Sequence, residues 1–386
     1  MLNDEFASNR QRVWVLMFDR LPFDRPVSQS QVVQDPRSIE ETTPVQYSSI
    51  DDLDLRSTFF EQYLIQDVSE SASVVDVLGG AGVVDQFCEQ LDKGAYAVAH
   101  IRLTCGGAVS SDPALTSTGA WLLPQTSNSR TAEYLIQTAE SGTAERELNT
   151  VFDLNLLDLD LVWFDVKISL PDEDCVIADS IVRWLRQHRS QVMHDCVTPL
   201  VLIVSSQRGY ERSIKDPFFT SCDEGLIHAP LWIERPVGHS CRVQSLAASF
   251  DLLPTVLEFL TGMTQQALIT DSIADRATHV LTELSGQSLS LASAILSFCP
   301  GKDRLIRLKG KNWTALRSQQ YLLVFPEDVA PNDTEVDRTT SADRHQRPAR
   351  KLFLKPDDIW NVHDVIVTYE SIADEMQSLA FQGSSE

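Results

Sequence analysis

Leu200-Val201-Leu202-Ile203-Val204 runs directly into Ser205-Ser206-Gln207-Arg208-Gly209. Five apolar residues, mostly β-branched, followed by a polar turn closed by glycine, predict a strand buried on both faces and ending in a loop. Open α/β sheets bind their ligands outside such strand ends. A second place of this kind follows Val13-Trp14-Val15-Leu16-Met17-Phe18, where Asp19 stands just past an apolar run. A third candidate is Gly80-x-Gly82-x-x-Asp85. After a strand it would resemble a dinucleotide turn that sets phosphate on a helix N-terminus, as in a nucleotide-binding oxidoreductase. Its third position is Asp rather than Gly or Ala, and a plain tight turn accounts for it as well. His228, His239 and His279 lack metal-ligand spacing, and His228 and His100 read as histidines of the folded interior.

The elements around these residues alternate. Strands are expected at 13–18, 73–78, 95–103, 159–166, 200–204 and 229–233, with helices over 83–91 and 131–148 between them. Another helix follows Pro171-Asp172-Glu173-Asp174. Acidic residues open it, Arg183, Arg186, His188 and Arg189 lie near its end, and Cys175, Ala178, Val182 and Leu185 form one apolar face, flanked by Ile177, Ile181 and Trp184. Asp251 can cap a further helix that carries Pro254 in its first turn and ends at Gly262. Trp14, Trp163 and Trp232 fall on strands and read as core. The alternation implies an α/β class, a three-layer sandwich around a mostly parallel sheet. After residue 300 the pattern changes to short strands at 304–308, 313–316, 321–325 and 351–354, which predict a small C-terminal antiparallel α+β subdomain. The expected division is therefore 10–300 and 301–386, with loops over 22–57, 104–130 and 327–349.

At 386 residues and 43% hydrophobic content the chain can bury a large core. A net charge of −23 argues against nucleic acid and against anionic membrane surfaces, since both are bound through Lys and Arg. It leaves room for a small anionic ligand in a locally positive cavity. The seven cysteines are scattered without C-x-x-C spacing, which fits reduced thiols. No apolar leader opens the sequence and no apolar run is long enough to cross a membrane, so a cytoplasmic protein is the expectation.

Taken in order, the motifs resemble the sulfatase family of the alkaline-phosphatase superfamily. Val13 to Leu21 (VWVLMFDRL) is similar to the family's first strand, which ends in Asp-Asp-Leu. Leu161 to Leu185 resembles its strand, loop and D-x-x-x-G-x-x-L helix, with Asp179 and Leu185 kept. The Ser205–Gly209 turn stands where the family has Ser-Asp-His-Gly. Ile227 to Pro236, Ser249 to Leu257 with Gly262, and Gly286-Gln287-Ser288-Leu289 resemble later family segments in the same order. Ala315-Leu316-Arg317 and Tyr321-Leu322-Leu323 resemble the C-terminal segment that faces the active site. Residues 200–325 carry most of the likeness and residues 22–150 almost none.

The resemblance implies a sulfuric ester hydrolase with calcium or magnesium, and it also implies that this chain has lost most of that chemistry. Asp19 matches a metal-binding Asp, but Arg20 and Gln207 stand at two further metal positions and Arg208 replaces the His. A hard dication needs several charged oxygens. The family nucleophile lies in C/S-x-P-S/T-R, and no cysteine here begins C-x-P-x-R. Ser57 and Thr58 are the side chains that could attack in its place; otherwise they are solvated loop residues. Arg20, Arg208 and Arg317 could instead offer forked donors to sulfate, phosphate or carboxylate, although an ion pair, for instance of Arg20 with Asp19 or Asp24, is the plainer reading. The expected protein is thus a pseudoenzyme without a cofactor. An active sulfuric or phosphoric ester hydrolase with a rearranged site is the alternative, and the oxidoreductase a more distant one.

Overall fold

Three apolar runs form the middle of the molecule because each can be buried on both faces. The computed structural model describes residues 11–19, 21, 53, 56–68, 72–105, 129–136, 149, 156–168, 174–195, 199–209, 224–236, 240–262, 305–310, 313–326, 350–355 and 363–382. In it β1 (Arg12–Phe18) lies between β5 (Leu161–Ile168) and β6 (Leu200–Ser206), parallel to both. Outward from β5 come β3 (Val98–Cys105) and β4 (Ser129–Ile136); outward from β6 come β7 (Leu231–Glu234), β2 (Thr58–Leu64) and β8 (Cys241–Ala248). Only β7 runs against the rest of this eight-stranded sheet. Residues 22–150, which carry almost none of the likeness, thus supply β2, β3 and β4 to the same sheet.

Both faces are covered. Val13, Val15, Met17, Leu161, Trp163, Val201 and Ile203 pack under the helices Ala81–Lys93 and Leu252–Thr261. Trp14, Leu16, Val162, Phe164, Leu202 and Val204 pack against the helix Asp174–Asp195, through its Ala178, Ile181, Val182 and Leu185. That helix is also tied to β7, since Arg186 and Arg189 both pair with Glu234, at 3.2 and 2.6 Å. Trp14, Trp163 and Trp232 are buried.

A second sheet is antiparallel throughout: β9 (Ile306–Lys309), β10 (Trp313–Arg317), β11 (Tyr321–Pro326) and β12 (Lys351–Leu354). It packs on the first through Leu64, Ile227 and Phe250 against Ile306, Leu308 and Trp313. The helix Glu370–Gln382 follows it.

Three expectations are corrected. Residues 73–78 were expected as a strand, for their valines, but Val74–Val77 is a helical turn. Ser73 Oγ accepts the Asp76 N–H at 3.3 Å and the Asp76 carboxylate accepts the Ser73 N–H at 2.9 Å, a reciprocal cap that outweighs the β preference. Residues 131–148 were expected as a helix, but they begin inside β4, whose backbone pairs residue by residue with β3. Asp251 does not cap the Leu252 helix as expected; its carboxylate accepts the Ala248 N–H at 2.8 Å, one turn earlier. Gly262 ends that helix with φ 67°.

Candidate functional site at the strand ends

Strand alternation decides which side chains meet. On the face shared by Val13, Val15 and Met17, the next position of the same column is Asp19. On β5 the column is Leu161, Trp163, Asp165, Lys167; on β6 it ends Ser205, Gln207; on β3 it runs Val98, His100, Arg102, Thr104. All four columns turn polar at the same end of the sheet, and Met17, Asp165 and Arg102 stand in register across β1, β5 and β3. There Asp19, Arg102, Leu103, Thr104, Asp165, Lys167, Gln207 and Arg208 line a cavity of about 340 Å³. It lies beyond the carboxyl ends of the strands, at β1, where strand order turns outward on both sides.

Backbone bonds fix the walls. The Asp19 N–H donates to Val166 O at 2.8 Å and Asp19 Oδ1 accepts the Ile168 N–H at 3.2 Å. The Gln207 N–H donates to Phe18 O at 2.7 Å, and its side-chain Nε2 donates to Asp165 Oδ1 at 2.6 Å. Arg208 Nη2 donates to Ala72 O at 3.4 Å, which brings the chain after β2 to the rim. Arg102 Nη1 bonds Glu133 Oε1 at 3.1 Å on β4. The Asp165 carboxyl is pushed up to about 6, chiefly by burial. Arg102, Gln207 and Lys167 oppose that rise, and Asp19 adds to it. Lower in the β3 column, burial and then Arg102 push His100 down to about 3, so its imidazole is neutral.

The other candidate residues lie elsewhere. Ser57 and Thr58 open β2 at its N-terminal end, whereas the cavity is at the C-terminal ends of strands parallel to β2. Both are buried rather than solvated: Ser57 Oγ donates to Leu53 O at 2.5 Å, and Thr58 Oγ1 accepts from Cys241 Sγ at 3.4 Å. Neither can attack a molecule held at the cavity. Arg20 lies outside the described residues. Arg317, 1% exposed, is an interior strut between the two sheets: Nη2 donates to Gln62 Oε1 at 3.2 Å, and Nη1 donates to the Ser318 and Gln319 carbonyls. Arg317→Met is expected to cost about 2 kcal/mol by leaving these acceptors unpaired. Urea denaturation checks this; anion binding lost at unchanged stability would instead put Arg317 at the site.

Arg102, Thr104, Asp165 and Lys167 were missed. The sequence signal for two of them was present, since charged Asp165 and Lys167 interrupt an otherwise apolar strand. The Gly80 turn joins two helices, Val74–Val77 and Ala81–Lys93, through Gly79 and Gly80 at φ 107° and 93°. A dinucleotide turn joins a strand to a helix, so the oxidoreductase expectation loses its basis.

No family model matches the chain, and no curated protein does. Solved structures do. The crystal structure of Ps i-CgsB aligns with TM-score 0.59 at 11% identity, over 97% of this chain and 93% of that one. PsFucS1 sulfatase from Pseudoalteromonas sp. gives 0.51 at 12%, over 100% and 92%. A protein in the alkaline phosphatase superfamily from Vibrio parahaemolyticus gives 0.51 at 12%, over 97% and 88%. The chain shares the sulfatase-like α/β fold of these structures. Among the described residues no helix is long and apolar enough to cross a membrane.

Proposed function

We propose that this chain binds a small anion at the ends of β1, β3, β5 and β6 and is impaired as an ester hydrolase. The observation that carries the reading is the donor set. Gln207 turns an amide N–H toward Asp165, and Arg102, Lys167 and Arg208 line the same cavity. Calcium takes about six to eight oxygens and magnesium a near-octahedral set. The two carboxylates described here each already accept an N–H, Asp19 from Ile168 and Asp165 from Gln207. Among the described residues no three His, Cys, Asp or Glu side chains gather to hold a metal. This set does not fit the dication that the fold family implies, and no step of hydrolysis runs through one.

An anion fits better. With both carboxylates ionised the lining itself has three cations (Arg102, Lys167, Arg208) against two anions (Asp19, Asp165), an excess of one positive charge within the cavity; Glu133, which pairs with Arg102 at 3.1 Å, lies outside the lining and is largely exposed to solvent. Walls of low dielectric strengthen such a local excess. Calorimetric titration with sodium sulfate and sodium phosphate tests the reading. Saturable binding is expected, weakened at least about tenfold by Arg208→Gln through loss of charge-assisted hydrogen bonds. Absence of binding overturns it. Aryl sulfate and aryl phosphate turnover is expected at background. Turnover that Asp19→Ala abolishes would favour the active hydrolase, which would draw on the Asp19 and Asp165 carboxylates.

A further inference from the structure

We propose that Arg102 and Lys167 are built-in counter-cations of the Asp19 and Asp165 carboxylates, so that the chain itself supplies the positive charge a divalent ion would bring to these strand ends. Register carries the inference. Arg102 on β3 is the cross-strand partner of Asp165 on β5. Phe18 on β1 is the partner of Val166, and Asp19, one residue on, is bonded through its own N–H to Val166 and through its carboxylate to Ile168. Asp19 therefore flanks Lys167, the residue between those two. Each acid has one cation beside it in the adjoining strand, and all four side chains line one cavity; Arg102 in addition pairs through Nη1 with the exposed Glu133 of β4 at 3.1 Å.

The electrostatics agree. After burial, Arg102 is the largest influence on the Asp165 carboxyl; it and Lys167 favour the ionised form and Asp19 opposes it. Two carboxylates meeting at the end of a buried sheet repel one another unless cations intervene. A dication is one solution and a Lys–Arg pair is another. The two exclude each other, because a cation entering the cavity would meet Arg102 and Lys167 first. Gln207 completes the exchange by giving Asp165 a hydrogen-bond donor.

The anion reading also counts Arg102 and Lys167 among its cations but adds Arg208, so the two are separated by the ligand titrated. Removing the built-in cations should open the site to metal. Calorimetric titration of the wild-type protein with calcium chloride and magnesium chloride is expected to show no binding tighter than about 1 mM. Arg102→Gln/Lys167→Gln is expected to bind at least one of the two ions at least about tenfold more tightly, and Asp19→Ala added to that double variant is expected to remove the gain. Stoichiometric wild-type binding overturns the inference, and so does a folded double variant no tighter than wild type. Should the double variant fail to fold, Lys167→Gln alone, at an exposed position, is expected to show the same gain at about threefold, and no gain overturns the inference. Wild-type protein that binds both sulfate and calcium defeats this inference and leaves the anion reading intact; protein that binds neither does the reverse.

Discussion

Gly209→Ala is expected to lose about 3 kcal/mol or more of stability, with sulfate binding lost alongside. Space decides this: a Cβ at 209 would overlap the Gly225 carbonyl and come 2.6 Å from His228 O. Both obstacles are backbone atoms, and neither can retreat easily. Ile65 N–H donates to Ile227 O at 2.8 Å, Ala229 N–H to Tyr63 O at 3.1 Å, and His228 Nε2 lies 2.6 Å from Glu61 O, so the Glu224–Ile227 turn is stitched to β2. The strain would pass to Arg208 and Gln207, which precede Gly209, and would break its own N–H bond to Leu226 O at 3.0 Å. Urea denaturation and sulfate titration on the same variant measure both effects. A midpoint within about 0.5 kcal/mol of wild type would mean that the two segments do not touch as described.

That glycine also shows what was legible in the sequence. Its place after a buried strand could be read, but the reason it must be glycine lies sixteen and nineteen residues away, at Gly225 and His228. The same division runs through the fold. β1, β5 and β6 are legible because burial on both faces forces an unbroken apolar run. The β2 sequence TFFEQYL and the β8 sequence CRVQSLAA mix polar and apolar residues because their surroundings are mixed: Gln62 reaches the Gln244 carbonyl, and Arg242 reaches Glu61 across the pair. β4 (SRTAEYLI) reads as a helix from Ala, Glu and Leu, since an edge strand has few packing partners to impose its own pattern. For the site, Asp19, Gln207 and Arg208 were legible because each lies within four residues of the end of an apolar run. Arg102 was not, because its meaning depends on which strand lies beside which. Register across β3, β5 and β1 is a property of the sheet and not of any one segment.

Asp165→Asn is expected to stabilise the protein above neutral pH by about 3 kcal/mol and to leave it unchanged near pH 3. The folded state holds the Asp165 proton up to about 6, against an ordinary 3.8, chiefly because burial disfavours the carboxylate. Below 3.8 the group is neutral folded or unfolded and makes no difference. Between 3.8 and about 6 the folded state binds more proton than the unfolded, so stability falls as pH rises. Above about 6 the whole difference, about 3 kcal/mol at about 1.4 per pH unit, weighs against folding. Asparagine keeps an oxygen for the Gln207 amide at nearly the same place and removes the charge. Denaturant unfolding of both proteins from pH 3.5 to 8 isolates the effect, because the other acidic groups are common to both and cancel in the difference. A difference that does not change with pH would mean that Asp165 titrates alike folded and unfolded, its burial fully offset by Arg102, Gln207 and Lys167. The counter-cation pair gives this prediction its second half. In Arg102→Gln/Lys167→Gln the Gln207 amide alone still opposes the burial, so the pH at which the Asp165→Asn gain levels off should move upward and the gain at pH 8 should grow. A carboxylate held by a metal would respond in the other direction, with Asp165→Asn weakening the fold whenever the ion is present.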